Sequence, residues 1–350
     1  MGKKNQTASC VFGAKYILGQ VDALTGEIQG AIGGDDIEHI HRLRVASRRL
    51  RNGLDLFKDC LPKKKAKDWM RGVRKVTKAL GRARDLDIQI LCLEDLMAET
   101  LPATALPGYE RVLLRLSQQR EKAQNKVNQS LTQLKEDKTL EIIQSYCIQS
   151  ANLSEAIYLF TPSLYKRAFS AIHKALEEFL AYEKYLDDPE NIEELHAMRI
   201  AGKHLRYTLE IFSSLYGKPL LPHLSVMKEL QDQLGDIHDI DVWIGWLPKF
   251  IDQERARVEA YFGHPGPFED LLPGIQHLIE DRATARRDRY DALITLWETL
   301  TYERAWSVLR DIVKAPLDFE AASDHLHDNV TSTKNTTDVD HVHIEGEEPE

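Results

Sequence analysis

The chain carries one stretch twice. Residues 37–57, IEHIHRLRVASRRLRNGLDLF, align without gaps to residues 192–212, IEELHAMRIAGKHLRYTLEIF, and nine of the 21 positions are identical. A second pair of blocks follows in the same order: LGRARDLDI at 80–88 and LGDIHDIDV at 234–242. Two blocks kept in order at nearly the same offset identify an internal duplication, and a duplicated unit limits the chain to folds built from two similar halves.

The rest of the sequence says what each half is made of. Strand-like alternation and Asn-Gly or Asp-Gly hairpin signals are missing, and apolar residues recur with helical spacing. The spacing predicts helices over 110–134, 163–186 and 275–300. Breaks are expected at GGDD (33–36), Pro62, LPATALPG (101–108), Pro162, Pro189, GKPLLP (217–222) and GHPGP (263–267). The expected fold class is therefore all-α. The first copy is expected over residues 1–150 and the second over 151–315, followed by a disordered acidic tail at 316–350.

The net charge of −9 hides an uneven distribution. Residues 316–350 hold ten acids and one lysine, so the first 315 balance at zero. Within that neutral body, residues 39–84 hold sixteen Lys and Arg against three Asp. Such a region points to an anionic partner. No apolar run is long enough for a bilayer, and the start lacks the apolar core of a signal peptide. The four cysteines (Cys10, Cys60, Cys92 and Cys147) form no CxxC pair. That pattern speaks against both a zinc site and a disulfide framework, and predicts a cytoplasmic protein in a reducing compartment.

Placed on a helix at about 100° per residue, His41, Arg44, Arg48 and Arg51 share a face about 80° wide. Leu43, Ala46, Leu50, Leu54 and Phe57 take the opposite face. The second copy repeats this with His196, Arg199, Lys203 and Arg206 against Met198, Ala201, Leu205, Leu209 and Phe212. Like charges three and four residues apart repel by a few tenths of a kcal/mol, on the order of the gain from an opposite pair. Solvent or paired acids could absorb that cost. Its recurrence in both copies favours a shared anion-binding groove, and arginine's planar fork suits phosphate. Aromatic residues are scarce near these faces, Tyr207 excepted, so base stacking is poorly served.

HRLRVASRRLR, LGRARDLDI, LHAMRIAGKHLRYTLEIF and LQDQLGDIHDIDV together resemble the signatures of the CHAD domain, the conserved histidine α-helical domain, over about residues 10–312. The resemblance implies two four-helix bundles related by a pseudo-twofold axis, with a central basic channel. It also implies non-catalytic binding of inorganic polyphosphate and targeting to polyphosphate granules. Neither a cofactor nor a membrane is implied, and nucleic acid is not the expected partner. The residues it places on the polyphosphate are His41, Arg44, Arg48, Arg51, Arg74 and Arg84, then His196, Arg199, Lys203, Arg206 and Lys228. Arg120 and Arg282, with Lys15 and Lys166, are further candidates on other helices. Arg84 has a histidine, His238, as its counterpart.

Other constellations carry their own expectations. Asp85-Leu86-Asp87 and Asp239-Ile240-Asp241 suggest magnesium, and with it a polyphosphate or triphosphate hydrolase. Side chains at i and i+2 of a helix do not face one another, so one carboxylate bonding a neighbouring helix and orienting an arginine is the favoured reading. His41 and His196 have no partner base in the sequence and read as ligand or network contacts. HLH (325–327) and HVH (341–343) read as polar filler or weak metal ligands. KKKAK (63–67) reads as a solvated turn that steers anions.

Overall fold

The structure, a computed structural model, describes residues 8–34, 36–152 and 160–318. Every regular element among them is helical. In the first copy, α1 (Ala8–Gly33) is followed by α2 (Ile37–Leu56), whose start is fixed by Asp36. The Asp36 carboxylate accepts the Glu38 N–H at 2.8 Å, satisfying one of the donors that a helix start leaves open. α3 (Lys63–Ala98) begins directly after Pro62. α4 (Leu106–Glu136) carries Pro107 in its first turn, where the missing N–H costs nothing. α5 (Thr139–Asn152) completes the copy. The second copy runs through α6 (Pro162–Leu180), capped by Thr161, then α7 (Ile192–Tyr216) and α8 (Leu221–Phe262). The short α9 (Gly266–Glu269), α10 (Leu272–Tyr302) and α11 (305–318) follow.

Several expectations change here. The lysines of 63–67 form the first turn of α3 and not a loop. The helix expected over 163–186 ends at Leu180. Beyond it the chain turns so that Leu186 enters the core and its carbonyl accepts the Tyr290 hydroxyl at 2.7 Å. α11 continues to residue 318, so the first three residues of the expected tail are helical. HLH and HVH lie outside the described residues. Cys10 and Cys60 are joined in a disulfide with their Cα atoms 5.3 Å apart, against the expectation of none. They are 50 residues apart in sequence, but α1 and α2 pack along one another and bring the start of one beside the end of the other. The expected reducing compartment leaned on unpaired cysteines and loses that support, since such bonds are rare in a cytosol. No helix among the described residues is long and apolar enough to cross a membrane.

Each copy buries the apolar face of its basic helix as its periodicity requires. Leu43, Leu50, Leu54 and Phe57 are fully or almost fully buried, as are Met198, Leu205, Leu209 and Phe212. In the first copy α2 packs on α1 and α3, and α4 and α5 close the core. In the second, α7 packs on α6 and α8, and α10 and α11 close it. The far part of α8 (Trp243, Leu247, Phe250) and the near part of α10 (Ile275, Leu278) join the first copy's core, so the two halves share buried surface.

At two places, residues at corresponding positions in the two copies touch each other. Phe57 and Phe212 meet edge to face with ring centres 6.2 Å apart, and Phe12 packs on both. Edge contacts of this kind are worth about 0.5–1.5 kcal/mol beyond the buried area. Gly108 and Gly274, from the Leu-Pro-Gly that opens α4 and the one that opens α10, are also in contact. A Cβ on Gly274 would lie 2.0 Å from the Ala105 carbonyl oxygen, so only glycine permits this crossing.

Candidate anion-binding site

α2 and α7 pack against each other and bring their cationic faces together. Arg44 and Arg48 on α2 lie close enough to Arg199 and Lys203 on α7 to act electrostatically on both. Lys203 is only 7% exposed. Burial, then Arg199, Arg48 and Arg44, push its ammonium down to about 6, with Asp239 opposing. Burial also works against the charge on Arg48, Arg51 and Arg199. These cations are held in a concentration the fold itself disfavours.

The Asp-x-Asp blocks supply the compensation, and the two aspartates of each block do different work. Asp85 stands 3.9 Å from Arg44, and its counterpart Asp239 stands 3.8 Å from Arg199. Asp87 instead bonds Arg120 of α4, and Asp241 bonds Arg286 of α10. One carboxylate thus lies beside a groove arginine while the other ties its helix to a neighbour, as the side-chain directions at i and i+2 require. Asp87 and Asp241 are raised above the usual carboxylate range by burial, against the pull of their arginines.

The histidines sit at one junction in each copy. His41 faces Arg84, and burial followed by that guanidinium lowers its proton affinity. In the second copy the rings of His196 and His238 are 2.9 Å apart between their Nδ1 atoms. Burial first, then Arg199 and its cationic neighbours, push His238 down to about 3. Burial, Arg199 and Lys203 lower His196. All three imidazoles are thus shifted away from their charged form.

The remaining expected residues are placed as follows. Arg51 and Arg74 lie with Arg48, Lys203 and Tyr207 around a cavity of about 410 Å³ between α2, α3 and α7. The Arg48 guanidinium stacks over the Tyr207 ring at 5.6 Å. Arg84 Nε and Nη1, Arg199 Nε and Arg51 Nε are buried with no hydrogen-bond partner among the described residues. Arg206 is held by Glu210 at 3.0 Å, and Arg120 by Asp87. Arg282 bonds Asp281 and reaches the Cys92 sulfur at 3.2 Å. Lys228, Lys15 and Lys166 are exposed on α8, α1 and α6. The sequence reading left out Arg49, which crosses from α2 to Glu210 on α7 at 2.8 Å. The available signal was Glu210 itself, an acid four residues after Arg206 on a face otherwise lined with cations.

The comparisons with known proteins agree with this architecture. A family model described as the CHAD domain matches residues 15–248. The fold is similar to the crystal structure of the CHAD domain from the plant Ricinus communis, with a TM-score of 0.60 at 20% identity, covering 82% of this chain and 91% of that one. It is also similar to PptA from Streptomyces chartreusis, with a TM-score of 0.51 at 15% identity, covering 83% of this chain and 99% of that one. No curated protein matches the sequence. With a family match running over more than half of its length, the chain belongs to the CHAD domain family.

Proposed function

We propose that this protein binds inorganic polyphosphate without turning it over, along the seam where the cationic faces of α2 and α7 meet. The observation that carries this reading is the joint presence of Arg44, Arg48, Arg199 and Lys203 with, among the described residues, Asp85 and Asp239 as the acids beside them. A polyanion of closely spaced phosphates relieves the repulsion among the three guanidinium groups, favours the charged form of Lys203 and supplies acceptors for the buried arginine nitrogens. His41 and Arg84 extend the row in the first copy, and His196 extends it in the second. The scarcity of aromatic rings at the seam favours a phosphate chain without bases over single-stranded nucleic acid. Asp87 and Asp241 are bound to arginines, which supports a non-catalytic role over a magnesium-dependent hydrolase. Attachment to polyphosphate granules follows from the same affinity.

A competition assay tests this at near-physiological salt. Long polyphosphate should bind more tightly than triphosphate or ATP, and affinity should fall steeply with salt as counterions are released. Long polyphosphate should stay bound when RNA is added at equal phosphate concentration. Displacement by RNA under those conditions would refute the polyphosphate reading in favour of a general phosphodiester binder.

A further inference from the structure

The two copies treat one set of corresponding positions differently. In α2 and α7 the register pairs Arg49 with His204, Arg51 with Arg206, Asn52 with Tyr207 and Asp55 with Glu210. On one side of the seam these positions are closed. Glu210 accepts from Arg206 at 3.0 Å and from Arg49 of the other helix at 2.8 Å. On the other side the partners stand apart. Asp55 is one methylene shorter than Glu210, and although it lines the cavity its carboxylate is paired with Lys58 at 3.5 Å. His204 is shorter than arginine and sits 3.8 Å from Glu178. Among the described residues no carboxylate forms an ion pair with Arg51. The space between is the cavity of about 410 Å³, lined by Arg51, Asn52, Arg74, Lys203, His204 and Asp55 among others. Arg51 Nε and Asn52 Nδ2 are both buried donors with no partner among the described residues. A buried donor left in this state pays for its lost hydration with nothing in return, so a fold that keeps two of them in one cavity calls for an acceptor.

We propose that the seam is asymmetric, and that its open side is a phosphoryl-binding pocket in which Arg51, Asn52 and Arg74 hold one phosphate group. Arg51 and Arg74 supply the charge, and the Asn52 amide supplies a neutral donor. Arg48 and Lys203 connect the pocket to the row running along α2 and α7. The closed side has its cation neutralised by Glu210 and offers no equivalent. This inference rests on the polyphosphate reading for the identity of the ligand, but its chemistry is that of a single phosphoryl group.

The test uses the full chain and inorganic triphosphate, followed by nitrogen-15 NMR at the arginine Nε–H groups. Arg51 and Arg206 occupy corresponding positions and differ in what their Nε–H meets, so they form an internal comparison. Triphosphate should shift the Arg51 signal and leave that of Arg206, which already donates to Glu210, in place. Arg51→Gln should weaken triphosphate binding about tenfold or more, and Arg206→Gln no more than about twofold, as expected for losing and keeping a charge-assisted bond. The double change Asp55→Glu with His204→Arg copies the closed side onto the open one, and should weaken binding with the fold intact. A silent Arg51 signal, or equal responses from Arg51 and Arg206, would overturn the asymmetry. If long polyphosphate shifts Arg44 and Arg199 while Arg51 stays still, the functional reading stands and the pocket falls. If triphosphate shifts Arg51 while RNA displaces long polyphosphate, the pocket stands and the functional reading falls.

Discussion

Lys203 shows most clearly what the seam costs and what relieves it. Its ordinary value is 10.5; burial and the three guanidinium groups beside it bring it to about 6. Between those values the unfolded chain holds a proton that the folded protein does not, so this residue's effect on stability becomes steadily less favourable as pH falls from 10.5 toward 6 and is constant below. A bound polyanion reverses the balance by favouring the ammonium, so binding at neutral pH takes up a proton. Affinity for long polyphosphate should therefore fall as pH rises from 7 to 9, by up to about tenfold per unit. Lys203→Met should flatten that dependence. His196, His238 and His41 are all lowered from 6.5, and so contribute only at the acid end. Binding measured by calorimetry across this range decides the matter, and a wild-type curve with no slope, or an unchanged slope in the variant, would contradict it. The position of Lys203 on the cationic face was legible from its place in the repeat. Its burial was not, because the depth of a residue on the inner edge of a helix depends on how closely the facing helix approaches.

The helices themselves were largely legible, since apolar periodicity and Pro or Gly at their ends fix them locally. The crossing of α4 over α10 was not. The offset between copies is 154 residues at Asp85 and Asp239 but 166 at Gly108 and Gly274. α8 runs ten residues further past Asp239 than α3 runs past Asp85, and the connection through α9 is two residues longer, so the register shifts and the two Leu-Pro-Gly openings read only as helix breaks. The same shift concealed that Arg286 is the counterpart of Arg120, with each guanidinium bonded to the second aspartate of its copy. The crossing predicts that Gly274→Ala destabilises the protein by about 3 kcal/mol, because the new Cβ meets backbone that a flexible side chain cannot relieve. Gly245→Ala on α8, where a Cβ meets nothing within 4 Å, should instead stabilise by about 0.5–1 kcal/mol through helix propensity. Urea denaturation of both variants checks this, and equal midpoints would mean that the crossing has room to spare.

At the scale of the whole molecule, Phe57 meets Phe212 and Gly108 meets Gly274, and these contacts accompany the packing of α2 on α7 from which the proposed site is built. That packing creates the concentration of charge that neither copy has alone. A chain of zero net charge over residues 1–315 can thereby present a strongly positive seam, and pI alone conceals it. The measurement that bears most directly on this account is the affinity of long polyphosphate for the double variant Arg44→Gln with Arg199→Gln, one arginine from each copy. Lys122→Gln with Lys126→Gln, exposed on α4, provides a control of equal charge change. The account predicts a loss of about a hundredfold or more for the arginine pair, as two charge-assisted contacts are removed, and a loss of no more than about threefold for the lysine pair. Equal losses from the two variants would contradict it, since net charge alone would then govern binding.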